Sequence, residues 1–404
     1  MLFRKFEVFI AHKFNGGRKR TRKTRPVIQI SIAAIAVSTA VMILTAAVVN
    51  GFKREITEKV IGFGAHIDVG HYSNQQYYER IPIEKSSEIE AMSGQDNIDH
   101  VQAYVSKPGI LKNNSTIQAN ILKGVGPEYR WDFFEQHLKS GSLDSGLIGG
   151  ILISSKTAAE LNANVNDRIL LYFIQDPPRV RKLTIRGIYQ SGFGQFDDLI
   201  SFVDIGLLQK MNGWNETQYG GYELLVKDFD RLEETASEVY ASVPASLDAQ
   251  SIYEQFPDIF NWLELQDMNY LIIISLMIMV AAINSVSSLI IMILEKTQAI
   301  GVLKTIGANN WSIKRIFILQ GAYLLLSGLF WGNLIGLGLG YIQHKFGIIE
   351  LNVESYYLSS VPILLSLKDL LIINGGAFVL CMLALILPSH LVSNIVIAKV
   401  IKFD

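Results

Sequence analysis

Residues 271–294 read LIIISLMIMVAAINSVSSLIIMIL, and this charge-free apolar run determines the class of the protein. A helix rises 1.5 Å per residue, so ~20 apolar residues cross the ~30 Å hydrocarbon layer of a bilayer. Buried helices of a large soluble core are the alternative, but they rarely run so long without a charge. The run therefore predicts a transmembrane helix, assigned to residues 270–294.

Three more apolar stretches of similar length occur at uneven intervals. One lies near the N-terminus, and a long polar region separates it from the other three. The additional predicted spans are 26–52, 316–341 and 370–388. The pattern predicts a membrane α-helical bundle of four transmembrane helices, one plus three, with a large α+β domain inserted between helices 1 and 2.

Basic residues next to the spans orient the chain. The segment 1–25 has one acidic residue, Glu7, against many Lys and Arg, and the positive-inside rule places such a segment in the cytoplasm. The loop 295–315 is also basic, whereas 342–369 is mixed in charge. The basic residues are Arg4, Lys5, Lys13, Arg18, Lys19, Arg20, Arg22, Lys23 and Arg25, then Lys296, Lys304, Lys314 and Arg315. We therefore expect 1–25, 295–315 and the C-terminal 389–404 in the cytoplasm, and 53–269 and 342–369 outside.

Composition agrees with a chain of two parts. Of 404 residues, 50% are hydrophobic and 18% charged, with a net charge of −1. The single cysteine, Cys381, lies inside the fourth span, so the domain at 53–269 is expected to hold together without a disulfide. Because a span adjoins the basic N-terminal run, that run indicates membrane orientation, and we expect no nucleic-acid partner.

The region 53–269 has the pattern of a mixed α and β domain. Alternating or β-branched runs predict strands, and periodic apolar residues predict helices between them. The helical pattern continues from 52 to 61 and from 253 to 268, so we expect helical stalks on the first two spans. The predicted strands are 65–71, 109–112, 117–123, 168–174, 181–189, 199–203 and 222–227, and the predicted helices are 155–161, 204–211 and 229–240.

Motifs of common enzymes are missing from the sequence. It has no G-x-x-x-x-G-K-[ST], H-E-x-x-H, C-x-x-C or G-x-S-x-G motif. His66 and His71 share one strand segment without a third metal ligand nearby, and Gly192-Phe193-Gly194 is typical of a turn. We therefore predict a non-catalytic chain without metal or cofactor, in which any ATP and Mg are bound by another polypeptide.

Two features of the membrane region are more specific. Glycines recur every four residues in the third span, which predicts close helix packing along one stripe, with sliding during a cycle as the alternative. They are Gly328, Gly332, Gly336 and Gly340.

The second feature is the loop 295–315, which has the polarity of a short helix at the cytoplasmic face. Ile300, Leu303 and Ile306 would form one apolar face for a partner, with Lys296 and Lys304 at its rim. Gly301 and Gly307 would allow turns at the helix ends, and Ala308 would allow close approach. A solvated connector is the alternative to this docking element.

The stretch 284–321 (NSVSSLIIMILEKTQAIGVLKTIGANNWSIKRIFILQG) resembles the signature of FtsX/MacB-type ABC transporter permeases. The matching residues are Glu295 and Lys296, followed by Gly301, Leu303, Gly307 and Ala308. Three further segments are similar to the lipoprotein-releasing permeases, the LolC/LolE branch. These are NGF at 50–52 with GAHI at 64–67, GIYQSG at 187–192 and YLSSVP at 357–362.

The resemblance implies a permease of the bacterial inner membrane that pairs with a second permease subunit and binds a separate cytoplasmic ABC ATPase. The lipoprotein branch lifts triacylated lipoproteins out of the membrane and passes them to a periplasmic carrier. The carrier-gripping hook of one family subunit corresponds to 174–181, which is short here, and 389–404 lacks the usual Asp-Pro. An FtsX-like mechanotransmitter that regulates a periplasmic cell-wall hydrolase and a macrolide or peptide efflux permease are the alternatives.

If the chain holds an acyl chain, the site should be apolar and near the outer ends of the first two spans. The candidate lipoprotein-contacting residues are Thr45, Val48, Val49, Leu271, Ile274 and Met277. Plain lipid-facing or packing residues are the alternative for this set. If the residues do contact the acyl chain, we expect the two spans to face each other across a subunit interface.

Overall fold

The computed structural model describes residues 7, 9–11, 24–74, 80–143, 146–173, 175, 177–352, 358 and 360–389. Most of the basic segment 1–25, positions 174 and 176 of the short hook, positions 357 and 359, and residues 390–404 lie outside the described residues. The chain divides into two compact units. The helical unit comprises Met1–Lys53, Leu263–Glu350 and Ser360–Asp404, and the strand-rich unit comprises Arg54–Trp262 and Leu351–Ser359.

Helices and strands are numbered here in chain order, over the described residues. The helices are α1 Thr24–Gly64, α2 Ser87–Glu90, α3 Asp132–Gln136, α4 Ser155–Glu160, α5 Gly194–Asp197, α6 Ile205–Asn212, α7 Leu232–Ser242, α8 Ile252–Gln255, α9 Pro257–Glu295, α10 Thr297–Thr305, α11 Asn310–Phe346 and α12 Leu367–Ser389. The strands are β1 Ile67–His71, β2 Ile83–Glu84, β3 Ile98–Asn113, β4 Thr116–Val125, β5 Leu138–Gly141, β6 Gly150–Ser154, β7 Arg168–Phe173, β8 Arg179–Tyr189, β9 Ile200–Asp204, β10 Gln218–Tyr219, β11 Gly221–Val226 and β12 Leu247–Ser251.

A ten-stranded sheet organises the strand-rich unit. Its order is β12-β1-β11-β3-β4-β9-β6-β8-β5, and β7 pairs with both β3 and β8. The strands β3, β4, β9, β6, β8 and β7 therefore form a closed ring, which gives the domain a barrel-like core that the sequence patterns did not predict. The pairs β4/β9 and β6/β8 are parallel, and the other pairs in the ring are antiparallel.

Apolar side chains that alternate with more exposed ones along the strands fill the interior of this ring. In β7 the side chains of Ile169, Leu171 and Phe173 are buried, and the residues between them point to the other face. Each buried side chain of this size contributes ~1.5–3 kcal/mol relative to exposure. They pack with residues of α4 and α6 and of the neighbouring strands, including Val105, Leu111, Leu122, Ile151, Ala158, Leu183, Ile185, Val203 and Leu208.

Within the described residues, four helices are long and apolar enough to cross a membrane: α1, α9, α11 and α12. In the helical unit these helices pack through two apolar clusters, one of which includes Ile35, Leu289, Ile313, Phe317 and Leu385. The side chains of Asn333 on α11 and Asn374 on α12 exchange two hydrogen bonds, of 2.6 and 3.0 Å. Reciprocal bonding satisfies both amides in an apolar setting.

The helices extend beyond the predicted spans. α1 continues to Gly64, in keeping with the helical pattern at 52–61. A single helix over 253–268 is wrong in detail, because α8 ends at Gln255 and α9 begins at Pro257. Pro257 has no N–H to donate and disfavours helical geometry at Phe256, so the chain breaks there and a new helix starts.

Candidate functional site

The loop predicted to couple to an ATPase folds as the short helix α10. It begins after Lys296 and ends at Thr305. Just beyond its end, Gly307 takes a φ of +96°, a left-handed conformation that favours glycine. The N–H of Ala308 donates to the carbonyl of Leu303 over 2.9 Å and closes the turn. The side chain of Asn309 then accepts from the N–H of Trp311 and starts α11.

The orientation of α10 corrects part of the sequence interpretation. Ile300 is fully buried among Ile313, Phe317 and other residues of the helical unit, so it does not belong to an outward apolar face. Gly301 is buried in the middle of the helix and does not form a turn. Residues at i, i+3 and i+6 spread over a third of a helical turn, and α11 covers the side that carries Ile300.

Other apolar side chains on α10 and directly after it remain accessible in this chain. Ile306 is 78% exposed and Val302 is 54% exposed, whereas Leu303 is half-buried. Lys296 and Lys304 are half-buried beside them, and Glu295 is exposed. Val302 was not among the residues predicted to contact a partner, although its apolar character at a polar surface was a usable signal.

A charged contact links the N-terminal segment to the start of α11 within the helical unit. The carboxylate of Glu7 is nearly fully buried and lies 3.6 Å from the guanidinium of Arg315. The guanidinium also lies over the ring of Trp311, 5.3 Å from its centroid. In the sequence Glu7 stands out only as the single acidic residue of a basic run, and no local pattern indicated this partner.

The predicted glycine stripe of α11 lies against α1. A methyl group on Gly328 would lie 2.5 Å from Ile35 Cγ2, and one on Gly336 would lie 3.2 Å from Ala40 Cα. Gly332 makes a similarly close approach to Thr39. Gly340 has more room, since its nearest neighbour would be Ile363 at 3.6 Å. Three of the four glycines thus allow the backbones of the two helices to approach.

The residues proposed for acyl-chain contact lie on α1 and α9. Thr45, Val48 and Val49 are half-buried on α1. On α9, Ile274 and Met277 pack against a cluster of the same chain that includes Met42, Ile43 and Ala46, and Leu271 is 59% exposed. Ile274 and Met277 therefore pack near α1 within one chain, and Leu271 is the most accessible of the proposed residues.

Polar contacts connect residues 50–53 of α1 to neighbouring segments of the helical unit. Lys53 Nζ lies 2.6 Å from Asp267 of α9, and the amide of Asn50 donates to Asp369 of α12 over 2.9 Å. Gly51 makes room for the chain before α12, because a methyl group there would lie 2.7 Å from the carbonyl oxygen of Pro362. The motif at 50–52 thus meets the segment at 360–362.

In the strand-rich unit, the segment at 192–194 is a turn followed by α5. Gly192 has a φ of +72°. The carboxylate of Asp197 accepts hydrogen bonds from Ser191 Oγ over 2.6 Å and from the N–H of Gly192 over 3.0 Å. Burial raises the pKa of Asp197, and these hydrogen bonds oppose the rise.

His66 connects α1 to β1 and is held neutral. Its Nδ1 accepts from the N–H of Val226 over 3.2 Å, and its ring contacts Phe229. Burial lowers its pKa to about 4, which the charge of Asp99 only partly opposes. Among the described residues, no cluster of three or more His, Cys, Asp or Glu is arranged to hold a metal ion.

The short hook joins β7 and β8. Positions 174 and 176 are not described, and Arg179 beyond them donates to the carbonyl of Lys210 over 3.0 Å. A cleft of ≈ 480 Å³ beside it is lined by Arg80, Lys107, Trp214 and neighbouring residues.

Two family models match the chain. The MacB-like periplasmic core domain matches residues 30–242, and the FtsX-like permease C-terminal domain matches residues 271–397. The first match covers more than half of the 404 residues, and the chain therefore belongs to the family of the MacB-like periplasmic core domain.

Individual relatives align over the whole chain. It is 23% identical over 423 residues to the lipoprotein-releasing system transmembrane protein LolC of Xylella fastidiosa (strain Temecula1), covering 100% of both chains. It is 24% identical to LolE of Haemophilus influenzae, covering 98% of both. Among solved structures, the periplasmic region of MacB from Actinobacillus actinomycetemcomitans matches 51% of this chain and 98% of that chain, with 16% identity and a TM-score of 0.34. The full-length relatives confirm the resemblance to the LolC/LolE branch.

Proposed function

We propose that this chain is the permease subunit of an ABC transporter that extracts lipoproteins from the inner membrane for transfer to a periplasmic carrier. The observation that carries the proposal is the full-length match to LolC and LolE, the transmembrane proteins of lipoprotein-releasing systems. Helices apolar enough to span a membrane and a MacB-like core domain support it. The chain acts without enzymatic chemistry of its own.

Energy enters from a separate ABC ATPase that binds ATP and Mg. Its contact on this chain is α10 together with Ile306, which directly follows the helix. Ile306 and Val302 present apolar surface, and Leu303 lies half-buried beside them. Lys296 and Lys304 provide positive charge at the edge for acidic groups of the ATPase. Ile300 and Gly301 are buried and pack α10 against the rest of the helical unit.

The membrane arrangement is one plus three spans with both termini in the cytoplasm. The first span lies in α1, and the other three lie in α9, α11 and α12. The basic residues of 1–25 and 295–315 support this orientation. The strand-rich unit then lies in the periplasm, and a second permease subunit completes the transporter.

The acyl chains of the lipoprotein lie against the outer parts of α1 and α9. Leu271 offers exposed apolar surface, and Val48 on α1 is half-buried. Ile274 and Met277 line the same region from the packed side. Removing an acyl chain of this kind from lipid needs an apolar site, since each CH₂ contributes ~0.8 kcal/mol to burial.

Photo-crosslinking tests this path. A photoreactive residue at Leu271 or Val48 should capture a triacylated lipoprotein in membranes that contain the whole transporter. Leu294 is 68% exposed at the other end of α9 and provides the matched control, at which we expect capture of lipid alone. Capture of lipoprotein at Leu294 and not at Leu271 or Val48 would place the site elsewhere.

A further inference from the structure

A buried ion pair lies at the centre of the strand-rich unit. Lys123 of β4 contacts Glu223 of β11, and the two side chains are 7% and 2% exposed. The other carboxylate oxygen of Glu223 accepts from the amide of Gln102 of β3 over 2.9 Å. Three adjacent strands therefore contribute to one buried polar network. Such a pair is costly to desolvate, so its charges alone contribute little net stability to the domain.

The ammonium group of Lys123 has a second partner outside the sheet. It donates to the main-chain carbonyl oxygen of Phe63 over 2.6 Å. Phe63 lies in the last turn of α1, where carbonyl groups have no partner within the helix. A cation at this end also interacts favourably with the helix dipole. Lys123 thus caps the helix that carries the first predicted span.

Aromatic rings enclose both the ammonium group and the end of the helix. The Nζ atom of Lys123 lies 5.5 Å from the ring centroids of Tyr104 and Tyr129 and 5.9 Å from that of Phe202. These rings exclude water and allow little freedom to the side chain. The cation therefore occupies one defined position between α1 and the sheet.

The ring of Phe63 is fixed in a similar way. It stacks on Phe196 at a centroid distance of 5.0 Å and meets Phe134 edge-on at 5.4 Å. Phe196 also meets Phe256 at 5.5 Å, directly before Pro257 begins α9. Within the strand-rich unit, the last turn of α1 and the residue before α9 therefore contact the same ring.

We propose that Lys123 is a positioning residue of the transport cycle, which clamps the end of α1 to strands β4 and β11. With the terminal carbonyl held by Lys123 and the ring of Phe63 held by aromatic neighbours, the last turn cannot fray. A displacement of α1 is then passed to the sheet. This inference rests on the proposed function. It assigns to Lys123 the transmission of ATP-driven movement of α1 to the strand-rich unit, from which the lipoprotein would pass to the carrier.

The test uses the transporter reconstituted with its ATPase. The double variant Lys123→Met/Glu223→Gln removes both charges and leaves neither unpaired in the interior. We expect a folded complex with a wild-type ATPase rate and at least a fivefold loss in lipoprotein released per ATP hydrolysed. Lys123→Arg keeps a cation that can donate to both oxygens, and it should retain most of the release.

A second buried pair provides the matched control. Arg80 and Asp68 lie 2.6 Å apart with side chains 7% and 5% exposed, and Asp68 bonds to Tyr104 rather than to α1. The variant Arg80→Met/Asp68→Asn should therefore keep the wild-type yield of lipoprotein per ATP. An equal loss in both double variants would mean that buried charge only stabilises the domain, and would overturn the proposal.

A readout independent of the cargo separates this inference from the proposed function. A fluorophore on Tyr240→Cys, at a position 58% exposed on α7, in a Cys381→Ser background, should report an ATP-dependent change in the wild type. The change should be lost in Lys123→Met/Glu223→Gln. If the wild type shows this behaviour but releases no lipoprotein, the proposed function fails and the clamp stands. An ATP-dependent change that persists in the double variant, or is missing from the wild type, overturns the clamp.

Discussion

Gly332 of α11 lies directly against Thr39 of α1, so closely that a methyl group on Gly332 would be 2.5 Å from Thr39 Cβ and 2.8 Å from the carbonyl oxygen of Ala36. The second of these contacts is with backbone, which cannot rotate away. Thr39 is itself fixed, since its hydroxyl donates to the carbonyl of Ile35 over 2.9 Å. The two helices therefore touch where α11 has no side chain.

Replacing Gly332 should force the helices apart. We expect Gly332→Leu to destabilise the helical unit by ~1–3 kcal/mol or more, as for an overpacked core site, and to lower the yield of assembled transporter. The measurement is the thermal unfolding midpoint and the amount of complex that co-purifies with the ATPase. Gly338→Leu is the matched control on the same helix, because a methyl group there has no neighbour within 4 Å. Equal behaviour of the two variants would show that the contact with Thr39 does not limit packing.

The outward side of α10 should decide ATPase binding. Ile306→Glu places a charge at a position that is 78% exposed in this chain, so the permease should fold while its affinity for the ATPase falls at least tenfold, or ~1.4 kcal/mol. Leu303→Glu should uncouple ATP hydrolysis from release. Binding to purified ATPase and the ATPase rate in proteoliposomes measure the two effects.

Asn310→Glu adds the same charge at an exposed position of α11 and should bind the ATPase as the wild type does. Ile300→Glu should instead prevent folding, because Ile300 is fully buried. Wild-type binding and release by both Ile306→Glu and Leu303→Glu would make α10 a connector and direct attention to the N-terminal segment.

Acidification should weaken the strand-rich unit through His66. Its pKa is lowered to about 4, so between pH 6.5 and 4 the unfolded chain binds a proton that the folded chain does not. The stability contributed by the neutral imidazole is complete above pH ~6.5 and is lost as the pH falls towards 4, by roughly 3 kcal/mol in all. His66→Gln keeps an acceptor for the N–H of Val226 and does not titrate. Unfolding midpoints measured from pH 7.5 to 4.5 should fall more steeply for the wild type than for this variant, and parallel curves would contradict the assignment.

Cysteine labelling tests the membrane orientation. In a Cys381→Ser background, Tyr240→Cys and Thr305→Cys place single thiols at exposed positions of α7 and α10. A membrane-impermeant maleimide added to intact spheroplasts should label the first and spare the second. Permeabilisation should make both reactive. Labelling of Thr305→Cys in intact spheroplasts would reverse the proposed topology.

The sequence predicted those features that depend on local patterns. Long charge-free runs indicated the helices that the structure shows as α1, α9, α11 and α12, and alternation indicated β7 and β8 within two residues at each end. The spacing of the glycines placed three of them on one face of α11 against α1. These signals are local because they follow from the helix and strand periods alone.

Features that depend on distant partners were missed. Lys123 and Glu223 are 100 positions apart, and nothing near either residue indicates the other. The closure of the ring through β7 depends on pairing with both β3 and β8, which strand propensity does not encode. Ile300 was placed on the wrong side of α10 because the tertiary contact with α11, and not the helical period, decides which apolar residues are covered.

The central claim is tested most directly by lipoprotein release from proteoliposomes. The vesicles contain this permease with its second subunit and ATPase, a triacylated lipoprotein, and a soluble carrier outside. With ATP, the lipoprotein should move into the soluble fraction bound to the carrier, and the release should stop with a non-hydrolysable analogue. ATP hydrolysis at the wild-type rate with all lipoprotein left in the bilayer would contradict the account. If ATP then activated a cell-wall hydrolase or exported a macrolide or peptide, that result would select one of the other permease functions.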